Sequence, residues 1–128
     1  MQNVNQLSPL ILAYIGDAVF EIMVRERILE KSGNISVNKI SKKVTDIVNA
    51  ASQSALYMKV EDRLSEEERA VMKRGRNTSS HTRAKHQKVT DYRRATGLEA
   101  LFGYLYLLGK KERLNEIFEI CMRDENES

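Results

Sequence analysis

The stretch Leu10–Glu21, LILAYIGDAVFE, decides how this chain is read. Apolar residues run all round its helical projection, the pattern of a helix packed in a core. It nevertheless carries Asp17 and, one turn later, Glu21. An ionised carboxylate is tolerated in apolar surroundings only when it is paired, hydrogen-bonded or bound to a metal. Which of these holds for Asp17 bears directly on function.

Outward from that stretch the chain reads as helices throughout. Ser8 followed by Pro9 is a helix start, an N-cap and then proline at the first helical position. The pattern runs to about Lys31 and ends near Ser32-Gly33-Asn34. Ser36 opens a second, amphipathic helix through Val37, Ile40, Val44, Ile47, Val48 and Ala51, with Lys39, Lys42 and Lys43 outside. Gln53 to Val60 is a third, shorter helix or a continuation of the second. Ser65 and Glu68 form a capping box for a helix to about Arg74. Arg76 to Lys88 has Ala84 as its one apolar residue and is expected to be a loop or exposed turn. A strongly apolar helix follows from Thr90 or Ala95 to Leu108, stopped by Gly109. A last helix covers Lys110 to about Arg123. The expectation is one all-α domain over 1–128, with roughly six helices.

Composition narrows the class. The 128 residues are 30% charged and 41% apolar, with one proline and no tryptophan. That length buries a core without staples. With no apolar run fit to span a membrane and a polar start MQNVNQ, a cytoplasmic location is expected, with no membrane partner. The lone Cys121 allows no internal disulfide and reads as a small apolar filler. Net charge is +3, but Lys73 to Arg94 holds eight Lys/Arg against Asp91 alone. A basic block on an acidic remainder points to a polyanionic partner, unless it only solvates a loop.

The apolar helix Ala95–Leu108, ATGLEALFGYLYLL, repeats the oddity of the first: it contains Glu99. Both helices carry small residues, Ala13, Gly16 and Ala18 on one and Gly97, Ala100 and Gly103 on the other, which let helix axes approach closely. Facing carboxylates repel unless a proton or cation lies between them. A hard divalent ion accepts one or two carboxylates plus waters, and bundles build such sites from facing acids. Pairing with buried arginines, or an open face, is the other reading; Arg25 continues the Asp17–Glu21 row and is placed to take Glu21. The stripe Ile11, Tyr14, Ile15, Phe20 exceeds what one small core needs and suits half of a symmetric interface, monomer core being the alternative.

Tyr14-Ile15-Gly16-Asp17-Ala18-Val19-Phe20-Glu21, with Glu99-Ala100-Leu101-Phe102-Gly103-Tyr104-Leu105-Tyr106 downstream, resembles the ribonuclease III endonuclease domain over essentially the whole chain. The short length, the absence of an appended double-stranded-RNA-binding domain and Arg-Gly-Arg-Asn at 74–77 point to the compact form of that family. The resemblance implies a homodimeric, Mg2+-dependent endonuclease for double-stranded RNA, with precursor 23S ribosomal RNA as the expected substrate and a possible ribosomal-protein or pre-ribosome association. Asp17 and Glu99 match its central metal-binding acids. Longer relatives carry further acids where this chain has Leu10, Ala13 and Thr96. Glu21 matches no catalytic position.

Double-stranded RNA offers phosphates and 2′-hydroxyls more than base edges. The expected grip is Lys73, Arg74, Arg76, Arg83, Lys85 and Lys88 for phosphates, with Asn77, Thr78 and Ser79 for phosphates or 2′-hydroxyls. Gly75 between two arginines suggests either a turn bringing backbone to the strand or a helix C-terminus. His81 and His86, five apart, read as RNA contacts or solvated side chains. A non-catalytic RNA-binding or ribosome-assembly protein, with structural acids, is the alternative reading; a DNA-binding module lacks helix-turn-helix spacing.

Overall fold

The computed structural model describes residues 3–78 and 86–123, without the side chains of 86 and 87. Among the described residues all regular structure is helical. A 3-10 turn at Val4–Gln6 precedes α1 (Pro9–Ser32), α2 (Val37–Thr45), α3 (Ala50–Glu61), α4 (Glu66–Thr78), α5 (His86–Leu107) and α6 (Lys111–Met122). The expected all-α fold of about six helices is what forms.

Local chemistry sets the boundaries. Ser8 Oγ accepts from the Ile11 amide at 3.2 Å, and Ser36 Oγ from the Lys39 amide at 3.2 Å, so both serines cap as expected. Gly33 ends α1 at φ 69° and Gly109 follows α5 at φ 73°, a left-handed backbone that glycine adopts without a Cβ penalty. The capping box of α4 is complete: the Glu68 amide donates to Ser65 Oγ at 3.2 Å and the Ser65 amide to Glu68 Oε1 at 2.9 Å. Arg113 of α6 clamps the same carboxylate with two bonds of 2.8 Å, tying α6 to the start of α4.

Three boundaries differ from the periodicity. The second helix does not continue to Ala51, because Asn49 captures the backbone. Its amide donates to the Thr45 and Asp46 carbonyls at 2.9 and 3.2 Å, and its Oδ1 accepts from the Ser52 amide at 2.9 Å. One side chain thus closes α2 and caps α3, the local competition typical of asparagine. Helix α4 passes Arg74 and reaches Thr78, and α5 begins at His86, ahead of Thr90. Polar residues there extend existing helices, which need a buried face only over part of their length.

Helix α5 is the hub, packed against α1, α3, α4 and α6. Leu98, Leu101, Phe102 and Leu105 are fully buried on it. Phe102 meets Phe20 of α1 edge-on at 5.1 Å and Phe118 of α6 at 6.5 Å, a geometry favoured by aromatic quadrupoles. Burial of Phe20 corrects the stripe proposed for an interface: Phe20 belongs to the core. Helix α1 is likewise not buried all round. Leu12, Ala13, Gly16, Val19, Phe20 and Val24 face inward, while Ile11, Tyr14 and Ile22 are 50%, 79% and 53% exposed. Cys121 is buried filler on α6, and burial pushes its thiol up to about 12, leaving it protonated and inert.

Candidate active site

The meeting of α1 and α5 builds the site. A Cβ placed on Gly16 would lie 1.6 Å from the Glu99 carbonyl oxygen, and one on Gly103 would lie 1.9 Å from that of Leu12. Neither position admits a side chain, so the two backbones touch. With Gly16 against the backbone of Glu99, the next residue of α1, Asp17, stands beside the Glu99 side chain. The two carboxyls are close enough to interact, and Glu99 is pushed up to about 8. Burial is the first cause, then the charge of Asp17 and its hydrogen bond; a bond from Gln53 opposes them. In the metal-free protein the Glu99 carboxyl therefore keeps its proton near neutrality.

The two acids differ in exposure. Asp17 faces solvent and Glu99 is half-buried at the wall of the crossing. A cation could be reached from outside and held by two hard oxygen donors. No third His, Cys, Asp or Glu joins them among the described residues, so waters or substrate oxygens would complete the shell, as magnesium prefers. Ala13, one turn before Asp17, is buried and offers no donor. The Thr96 hydroxyl donates to the Tyr92 carbonyl at 2.9 Å within α5. Glu21 takes no part. It pairs with Arg25 at 2.6 Å across one turn of α1, as the spacing suggested.

One contributor escaped the sequence reading. Gln53 of α3 is 4% exposed, and its Nε2 donates to Glu99 Oε2 at 3.4 Å. Its phase with Tyr57 and Val60, at i, i+4 and i+7, is the signal that places it on a buried face.

The basic residues of the expected grip that the structure describes lie on helices. Lys73 and Arg74 are exposed on α4, and Lys88 is exposed on α5. Arg76 is half-buried: its guanidinium lies 5.9 Å from the centre of the Tyr57 ring and donates to the Tyr57 hydroxyl at 3.2 Å. Arg76 Nε also donates to Asn77 Oδ1 at 3.1 Å, and the Thr78 hydroxyl donates to the Arg74 carbonyl at 2.5 Å. Gly75 is neither a turn nor a helix end. It is buried inside α4, where a Cβ would meet Ala100 Cβ at 2.8 Å and Gly97 Cα at 3.0 Å. Ser79, His81, Arg83 and Lys85 lie outside the described residues, as does the side chain of His86.

This chain belongs to the ribonuclease III family, whose domain matches residues 10–110, and it is an endoribonuclease. Within the family it is similar over nearly its whole length to proteins named Mini-ribonuclease 3. That of Clostridium tetani is 48% identical over 127 residues, covering 99% of this chain and 84% of the relative. That of Enterococcus faecalis is 42% identical over 130 residues, covering 100% and 98%. A crystal structure of a protein from Fusobacterium nucleatum superposes with a TM-score of 0.81 at 34% identity, covering 94% of this chain and 95% of that one. No described helix is long and apolar enough to cross a membrane.

Proposed function

We propose that this endoribonuclease hydrolyses double-stranded RNA with a magnesium ion held by Asp17 and Glu99, works as a homodimer in the cytoplasm, and matures precursor 23S ribosomal RNA in contact with the pre-ribosome. The carrying observation is the Asp17–Glu99 pair, two carboxyls forced together at a crossing too tight for any side chain at Gly16. A bound cation would neutralise phosphate oxygens and lower the pKa of a water at the scissile bond. Glu99, half-buried and fixed through its backbone, sets the position of that charge. Asp17, exposed, presents its oxygens toward the substrate side.

Lys73, Arg74 and Lys88 supply exposed positive charge for RNA phosphates, with Arg83 and Lys85 proposed to join them. Arg76 is held against Tyr57, so it presents its charge from a fixed position. Asn77, Thr78 and Ser79 are proposed partners of phosphates or 2′-hydroxyls. The open face of α1 supports the dimer. Ile11, Ile15, Ala18 and Ile22 share one side of the helix, with exposed Tyr14 and the exposed Tyr106 of α5 adding apolar area. A two-fold axis through that face would direct one acid pair to each strand of a duplex.

Purified protein incubated with a long RNA duplex tests the reading. Cleavage in magnesium, none in EDTA and none by Asp17→Asn is the expected outcome. Wild-type cleavage in EDTA, or undiminished cutting by Asp17→Asn, would refute it.

A further inference from the structure

We propose that Gln53 is a positioning residue for the cation site: its buried amide, donating to the Glu99 carboxylate, fixes the orientation in which Glu99 faces Asp17. The inference rests on the reading of Asp17 and Glu99 as ion ligands. The contact between Gly16 and the Glu99 carbonyl fixes the backbone of Glu99 but leaves its side-chain torsions open. Something must hold the carboxyl in one rotamer, and Gln53 reaches it from α3, with Nε2 to Oε2 at 3.4 Å.

The placement of Gln53 is itself rigid. One turn further along α3, Tyr57 is 2% exposed. Its Cε2 lies 2.9 Å from where a Cβ on Gly97 would stand, two residues before Glu99. Tyr57 therefore docks α3 on α5 beside the acid. A buried amide is unfavourable unless hydrogen-bonded, so its burial at 4% exposure points to a specific task.

The residue type matters. A lysine or arginine at this place would satisfy Glu99 by charge and compete with a cation for it. A carboxylate would add repulsion. A neutral amide orients the acid and leaves the charge of the pair available to a cation.

Titration calorimetry of RNA-free protein with Mn2+ and Mg2+ tests the proposal, alongside metal-free thermal melts. Gln53→Met keeps volume and deletes the donor; Gln53→Asn keeps an amide but shortens its reach, and serves if the first variant does not fold. Each is expected to weaken ion affinity by about 10- to 100-fold, with metal-free Tm within a few degrees of wild type. In magnesium, kcat falls while KM for duplex RNA stays within about twofold of wild type. In a Glu99→Gln background, Gln53→Met should change ion affinity no further. Wild-type ion affinity in a folded Gln53 variant overturns the proposal alone. Absence of any saturable ion binding by wild type that Asp17→Asn abolishes would instead overturn the acid-pair reading, and this proposal with it.

Discussion

Helix α5 makes two glycine-lined crossings, and they are built differently. Against α1, Gly16 and Gly103 face backbone carbonyl oxygens, at 1.6 and 1.9 Å from the missing Cβ atoms. Against α4, Gly75 faces the Ala100 methyl at 2.8 Å and Gly97 faces the Met72 carbonyl at 2.6 Å. The first crossing is closed by backbone at distances no Cβ could take. The second is less close by about an ångström, though the Ala100 Cβ, the buried Tyr57 ring and backbone atoms line it and leave no room for a further methyl without movement. The tighter crossing carries the acids, where spacing must be fixed. The looser one carries Lys73 and Arg74, proposed above to meet RNA phosphates, on exposed positions of α4 where long side chains are free to adjust.

Substituting the glycines should break this contrast most visibly. Gly16→Ala is expected to abolish cooperative unfolding or lower Tm by more than about 15 °C, beyond ordinary overpacking of about 1–3 kcal/mol. Gly75→Ala should also destabilise, because its Cβ would meet Ala100 Cβ at 2.8 Å and Gly97 Cα at 3.0 Å, but by less than Gly16→Ala, the roughly 1 kcal/mol helix preference of alanine over glycine offsetting part of the cost. Thermal melts of both variants measure it, and the reverse ranking would contradict the contrast.

The next effect is chemical. Asp17→Asn should lower duplex cleavage by at least about a hundredfold, while its Kd for uncut duplex stays within about threefold. Single-turnover cleavage together with a binding assay separates the two. A large loss of binding with little further loss of rate would move Asp17 from chemistry to grip.

The pH dependence of stability sharpens the electrostatic side. Glu99 is raised to about 8 in the folded chain. Between the ordinary carboxylate range and that value, the folded protein keeps a proton that the unfolded chain has lost. The stabilisation is complete below the ordinary range and is lost as pH rises through about 8. In EDTA, Tm should therefore fall by about 5–10 °C from pH 5 to pH 8, and Glu99→Gln should flatten the curve. Glu68, lowered chiefly by its bond from Arg113, works in the opposite sense. Its contribution is present above the ordinary range and lost only in acid, so it leaves this window undisturbed.

The smallest effects belong to the basic face. Lys73→Ala and Arg74→Ala should each weaken duplex binding severalfold and reduce the slope of log K against log salt by about 1. Unchanged slopes in both would remove α4 from the grip.

Much of this was readable from the residues, and the exceptions have physical causes. Ser8, Ser36 and the Ser65–Glu68 box act within four residues, so local chemistry exposed those helix starts. The pairing of Asp17 with Glu99 was legible because two apolar helices each carried one acid beside small residues. The α2–α3 break was hidden, since apolar spacing continues through Asn49 and only its side-chain bonds show the turn. Gly75 misled because a glycine between arginines looks like a turn, whereas its partner Gly97 lies 22 residues away on another helix. Phe20 looked like surplus surface because one helix cannot reveal that Phe102 and Phe118 close around it. Gln53 was missed for a similar reason: one polar residue among several on a short helix gains meaning only when Glu99 is placed beside it.

Diffraction from crystals soaked in Mn2+, read by anomalous scattering, tests the acid pair most directly. One strong peak per chain, within coordination distance of Asp17 and Glu99 and absent from Asp17→Asn crystals, is the predicted result. A fully occupied peak elsewhere on the chain, or none at this crossing in protein that cleaves duplex RNA, would contradict it.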